Sequence, residues 1–274
     1  MGTVPRRTAP IVSVGARLQA ILEAFTETSP LLTLSELSRR TGLPLTTTHR
    51  LVGELLTGGL LERDELGRYR VGLRMWEIGS LAPRGLGLRA SALPFLGDLF
   101  DATRNHVQLA VREGTEVVYL ERISARDAVH VVSRVGGRLP LHATAVGLVL
   151  LAHAEHEVRE QALAAPLRRF TERTLGTAAQ LRRALADVRR DGYAVCNGAV
   201  ELVSLSVAAP VRDQEDNVVA ALSVVVPAKG ANPRALIPVV RAAARGISRA
   251  LGAPSGLRLP VAARHETHVL PEHG

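Results

Sequence analysis

Apolar positions recur at helical spacing three times between residues 13 and 58, and the pattern then shortens to strand-like arms. Val14, Leu18, Ile21, Leu22 and Phe25 repeat every three to four residues, which predicts an amphipathic helix ended by Ser29-Pro30. Thr33 and Glu36 have the S/T-x-x-E spacing of a capping box, in which each residue satisfies a free backbone donor of the other. They start a second helix that turns Leu34 and Leu37 inward and stops at Gly42. Pro44 suits the first turn of a third helix. Thr48, Leu51, Val52 and Leu55 fall on its buried face, Thr46, Thr47, Arg50 and Glu54 on the opposite one, and His49 at the boundary. Gly58-Gly59 closes that helix, and Leu60–Arg63 and Arg68–Val71 read as hairpin arms around Glu65-Leu66-Gly67. Two short helices, a tight turn and a hairpin are the layout of a winged helix-turn-helix, which puts one helix into the DNA major groove.

Leu73–Leu81 and, past Pro83, Leu86–Thr103 read as helical apart from Pro94, and supply a connecting helix. The pattern then alternates. Val107–Val111, Val117–Ile123 and Val129–Arg134 read as strands, and LPLHATAVGLVLLAHA as a strand end running into an apolar helix. Ala178–Arg190 is an amphipathic helix closed by Gly192. SLSVAAPVRD and NVVAALSVVVP are two apolar strands around the charged turn Arg212–Asp216, and Pro238–Leu251 is a final helix. This mixture predicts an α+β fold. The expected division is a flexible arm (1–10), a winged helix-turn-helix (11–72), a linker helix (73–90), a sheet domain (91–252) and a flexible tail (253–274).

Composition narrows the partners. The formal charge is +8, carried almost wholly by arginine beside a single lysine, Lys229. That balance favours a polyanionic partner, and GC-rich coding produces the same bias. Aromatics at 3% argue against a surface that stacks exposed bases. A lone cysteine, Cys196, excludes an internal disulfide and a cysteine-based zinc cluster. The start MGTVPRRTAP has no apolar core, and the longest apolar run, Ala143–Ala152, is too short to span a bilayer. A cytoplasmic protein with no membrane contact is expected.

Major-groove reading needs short side chains and donors near the start of the recognition helix, here Thr46, Thr47, His49 and Arg50. Arg17, Ser35, Arg39 and Arg40 are candidate phosphate contacts, and Arg63, Arg68 and Arg70 surround the hairpin.

In order and spacing, TLSELSRRTGLPLTTTHRLVGEL, LERDELGRYRVGLRMWEIGS, VGGRLPLHATAVG, DGYAV, and SLSVAAPVRD with AALSVVVP resemble the IclR family of bacterial transcription regulators, over residues 12–252. The resemblance implies a winged helix domain, a linker helix and a C-terminal GAF-like effector-binding domain. It also implies a homodimer or tetramer on a palindromic double-stranded operator, acting as repressor more readily than activator, without a cofactor. It places the effector against Leu139, Thr144, Ala145, Val146, Cys196, Asn197, Ser204, Ser206 and Ser223. The backbone N–H groups of Ala145 and Val146 begin a helix, a ready carboxylate site, so the expected effector is an organic acid. Many members carry acids where this chain has Cys196-Asn197 and a serine where it has Val225, which implies a less hydroxylated, aromatic or longer-chain acid.

Rival readings are an enzyme, a redox sensor acting through Cys196, and a winged helix that binds protein. The chain lacks G-x-S-x-G, P-loop and G-x-G-x-x-G motifs. His153 and His156 have no completing ligand motif.

Overall fold

The computed structural model describes residues 13–125, 129 and 131–257. The arm at 1–10 and the tail from 258 onward lie outside the described residues. Two compact units divide at Leu86 and Gly87.

In the first unit, α1 (Val14–Glu23) starts where the Ser13 side chain accepts from Ala16 N at 3.1 Å. The Thr33–Glu36 box forms in both directions at the start of α2 (Leu34–Thr41): Thr33 N donates to Glu36 Oε2 at 2.8 Å, and Glu36 N to Thr33 Oγ1 at 3.3 Å. Gly42 then turns the chain with φ of 71°, which a side chain resists. Pro44 is the residue before α3 (Leu45–Thr57) rather than part of its first turn. Thr48 is fully buried, its hydroxyl donating back to the Pro44 carbonyl at 3.1 Å. The three helices close on Ile21, Leu37, Leu51, Val52 and Leu55. The strands β1 (Leu61–Arg63) and β2 (Tyr69–Val71) pair antiparallel, and Leu32 exchanges backbone bonds with Tyr69 at 2.9 and 2.7 Å, which roots the hairpin in the helical core. A short helix, α4 (Leu73–Gly79), follows.

The second unit is a six-stranded antiparallel sheet between two helical layers. After α5 (Pro83–Thr103), the chain runs through β3 (His106–Glu113), β4 (Glu116–Ile123), β5 (Arg138–Pro140), a 3-10 turn (Leu141–Ala143), α6 (Ala145–Ala152) and α7 (His156–Ala164). It continues with α8 (Ala178–Asp191), β6 (Ala194–Asn197), β7 (Ser204–Arg212), β8 (Val218–Pro227), α9 (Pro233–Ala250) and α10 (Pro254–Leu257). The strand order is β5-β4-β3-β8-β7-β6.

Period-two alternation decides what each face carries. Leu205, Val207, Ala209 and Val211 of β7 and Leu222, Val224 and Val226 of β8 pack with Leu96, Val240 and Ile247 from α5 and α9. The intervening Ala208 and Ala221 pack with residues of α6 and α8 instead. Every residue of α6 is buried, so that helix is a core element on all sides.

Four sequence expectations need correction. The described residues of Val129–Arg134 form a loop, because the Ser133 side chain is bonded to Gln108 at 2.6 Å and its carbonyl to Arg122 instead of a neighbouring strand. The last helix begins five residues before Pro238, at Pro233, capped by Asn232, and carries Pro238 inside it. The chain stays packed past Leu251: Ala253 is buried, and Ser255 bonds Asp216. His49 is exposed rather than at the edge of the buried face. No helix among the described residues is long and apolar enough to cross a membrane.

Candidate functional site

On α3 the side chains of Thr46, His49 and Arg50 are exposed and Thr47 is half-exposed, while Thr48 is spent internally. Arg50 pairs with Glu54 one turn on, both about half exposed. Such a solvated pair contributes little and is readily exchanged for another acceptor. Ser35 and Arg39 are exposed on α2, and Arg17 is half-buried. Arg40 is tethered instead, donating to Ala24 O and Ser29 Oγ, each at 2.9 Å, so it sews α2 to the preceding loop.

The hairpin arginines are all engaged. Arg68 pairs with Asp64 and Arg70 with Glu62, each at 2.8 Å. Arg63 lies 5.6 Å from the Tyr69 ring centre and donates to Gly67 O at 3.3 Å. Backbone N–H bonds from Leu73 and Arg68, with the arginines themselves, hold the carboxyls of Glu62 and Asp64 below the usual range. The wing therefore presents two ion-paired arginines, and a third, Arg63, laid against the Tyr69 ring. Leu66 stands at its tip, 77% exposed.

In the second unit a cleft of about 480 Å³ of free space, counted out to its mouth, opens between the sheet and the start of α6. Leu139, Thr144, Ala145, Val146, Cys196, Ser204, Ser206 and Ser223 all line it. Strand register brings them together: Cys196 lies beside Ser206, Ser206 beside Val225, and Ser223 beside both Ala208 and Gln108. Asn197 does not join them. Adjacent strand residues point to opposite faces, so with Cys196 turned inward Asn197 is exposed, and its side chain accepts from Arg173 at 3.3 Å.

The lining residues not read from the sequence are Gln108, Tyr119, Val131–Ser133, Ala143 and Ala199–Glu201. Gln108 carried a signal, a polar side chain at an inward position of an apolar strand. It donates to Ser133 Oγ at 2.6 Å, while Ser223 Oγ lies 3.5 Å from its carbonyl oxygen. Burial pushes the Tyr119 phenol well up, against a hydrogen bond with Thr144, so it stays protonated. The loops 131–133 and 199–201 meet across the mouth, where Glu201 Oε2 accepts from Val132 N at 3.2 Å. Neither loop has a hydrophobic period, so nothing in the sequence brings them together.

No lysine, arginine or histidine lines this cleft among the described residues. Positive potential comes from the backbone. Thr144 caps α6, its hydroxyl accepting from Gly147 N at 3.0 Å, and the N–H groups of Ala145 and Val146 stay at the helix start with no partner inside the helix. Gly147 lets this turn close: a Cβ there would stand 2.2 Å from the Leu141 carbonyl oxygen.

Cys196 is half-buried, and desolvation pushes its thiol up to about 12. A thiol kept protonated is a poor nucleophile. Cys196 is therefore expected to react with iodoacetamide far more slowly at pH 8 than free cysteine, with a rate still rising above pH 10. A rate matching free cysteine would restore the redox-sensor reading.

The IclR helix-turn-helix model matches residues 16–65, and the model of the bacterial transcriptional regulator IclR C-terminal region matches 82–249. The HTH-type transcriptional regulator XynR of Escherichia coli K12 is 34% identical over 90% of this chain and all of its own. The HTH-type transcriptional repressor AllR of the same strain is 30% identical over 90% of this chain and 95% of its own. An IclR homologue from Microbacterium hydrocarbonoxydans, solved in complex with 4-hydroxybenzoate, is 42% identical with a TM-score of 0.82, over 87% of this chain and 99% of that one. Both units match, in chain order, and the relatives regulate transcription: the chain is a DNA-binding transcriptional regulator, not an enzyme, and belongs to the IclR family.

Proposed function

We propose that the chain is a repressor, a homodimer or tetramer on a palindromic operator, released or engaged by a small and largely apolar organic acid held in the α6 cleft. The observation that carries this reading is the cleft itself: a helix start with free N–H groups, a row of serine hydroxyls, and apolar walls with no basic side chain. A carboxylate bound at Ala145 and Val146 meets the positive end of α6, while an aromatic body lies against Leu139, Val146 and Val225. The 42% identical homologue was solved with 4-hydroxybenzoate, an acid of this class. Thr46, Thr47, His49 and Arg50 read bases, with Arg17, Ser35, Arg63, Arg68 and Arg70 on the phosphates. Two such heads about one helical turn apart give the palindrome. The arm (1–10) and a linker over 73–90, two helices interrupted at 80–82, complete the division, with 11–72 on DNA and 91–252, extended to Leu257 by the packing of Ala253 and Ser255, on the effector. Effector binding regulates only if the two arrangements of the heads differ in effector affinity.

The test is calorimetric titration and thermal shift with 4-hydroxybenzoate, benzoate and glycerate. The aromatic acids are expected to bind and raise the melting temperature, by about 2.7 kcal/mol of stabilisation at a hundred times Kd. They are also expected to change operator binding. Preference for glycerate would overturn the apolar reading, and silence from every acid the carboxylate one.

A further inference from the structure

A second concave site lies at the far end of the same unit, and it shares no lining residue with the α6 cleft. It encloses about 590 Å³ of free space including its mouth, with Gly192, Ser248 and Ser255 in its walls and Arg212, Arg241 and Arg245 around it. Among the described residues no acidic residue lines it.

Arg212 is held in place without being neutralised. Its guanidinium donates to the Asp216 carbonyl at 2.7 Å and its backbone N–H to Ser248 Oγ at 2.9 Å, both uncharged acceptors. Arg241 and Arg245 sit one turn apart on α9, a spacing at which like charges repel. Among the described residues neither side chain has a hydrogen bond or an ion pair, and Arg245 is half-buried. The acids nearby are engaged elsewhere: Asp191 with Arg190 at 2.8 Å, Asp213 with the N–H groups of Glu215 and Asn217, Asp216 with Ser255. This contrasts with the paired arginines elsewhere in the chain, such as Arg68, Arg70, Arg89 and Arg112. The floor at Gly192 is backbone, with no side chain between an incoming ligand and the Arg241 guanidinium.

Three convergent cations in a concave wall without an acid focus positive potential outward. Planar guanidinium forks match phosphate oxygens in pairs, and a multiply charged phosphate relieves the repulsion between Arg241 and Arg245. We propose that this cleft binds a small phosphate-bearing metabolite, a second ligand site independent of the organic-acid cleft.

The test titrates the full chain with sodium pyrophosphate by calorimetry at constant ionic strength. Saturable binding is expected, weakened about tenfold or more in an Arg241→Gln/Arg245→Gln double variant. Arg182→Gln, an exposed arginine on α8 outside the cleft, is expected to bind as the wild type does. The double variant is expected to melt no lower than the wild type in the absence of ligand, and to bind 4-hydroxybenzoate unchanged, which separates this site from the effector cleft. Absence of saturable heat with pyrophosphate overturns the proposal, as does equal weakening by Arg182→Gln. Loss of operator affinity in the double variant, without pyrophosphate binding, would assign the cleft to nucleic-acid backbone instead and equally overturn it.

Discussion

Gly147→Ala is expected to destabilise the second unit by about 3 kcal/mol and lower its melting temperature by ~6–12 °C. The added methyl would stand 2.2 Å from the Leu141 carbonyl oxygen and 2.7 Å from the Leu141 Cα and carbonyl carbon, all of them backbone. Backbone cannot rotate away as a side chain does. Nor can the helix retreat, since Ala145–Ala152 is buried on every side against the sheet and α8. Any shift also carries Ala145 and Val146 out of the cleft wall, so ligand binding falls with stability. Gly97→Ala in α5 is the control: nothing lies within 4 Å of its added methyl, and alanine is the better helix former by roughly 1 kcal/mol. Scanning calorimetry of both variants decides. An unchanged melting temperature for Gly147→Ala would mean that the turn before α6 is not fixed by this contact.

Arg50→Ala is expected to cost about 1–3 kcal/mol of operator binding, a loss of roughly fivefold to 150-fold, while leaving fold stability within about 0.5 kcal/mol. Its side chain is 56% exposed and makes one solvated pair, with Glu54, so the folded state loses little. A base contact differs from a phosphate contact in its signature. Arg50→Ala should reduce the ratio of operator to scrambled-DNA affinity. Arg70→Ala should weaken both sequences alike and lower the salt slope by about one. Anisotropy titrations on the two DNAs at several salt concentrations separate these outcomes. Equal loss on both sequences for Arg50→Ala would move that residue to the phosphates.

Legibility in the sequence followed the range of the interaction. The capping box at Thr33–Glu36 and the left-handed stops at Gly42 and Gly192 are local, and each forms where its spacing places it. The face of α3 followed from period alone. Strand alternation was readable for the inward serines of β7 and β8, yet the same rule, applied to Cys196-Asn197, separates two residues that the resemblance placed together. Helix α7 has one buried residue, Ala162, and so leaves almost no apolar stripe to read. Long-range partners left no trace: the Glu201–Val132 bond across the cleft mouth spans 69 residues, and the Arg70–Glu62 pair depends on a hairpin register that spacing does not give.

The sheet order has a consequence for how the chain is made. Its two central strands, β3 and β8, are joined by pairs such as Gln108 with Ser223, 115 residues apart. The β3–β4 hairpin can close early on the ribosome, but the sheet has no middle until β8 has emerged. The first unit, which ends at Leu86, has emerged in full by then. High contact order makes the second unit the slower folder and leaves the apolar edge of β3 open in the interval. During synthesis the reading head is thus finished well before the sensor, and the nascent chain carries an unpaired strand that a chaperone is suited to cover.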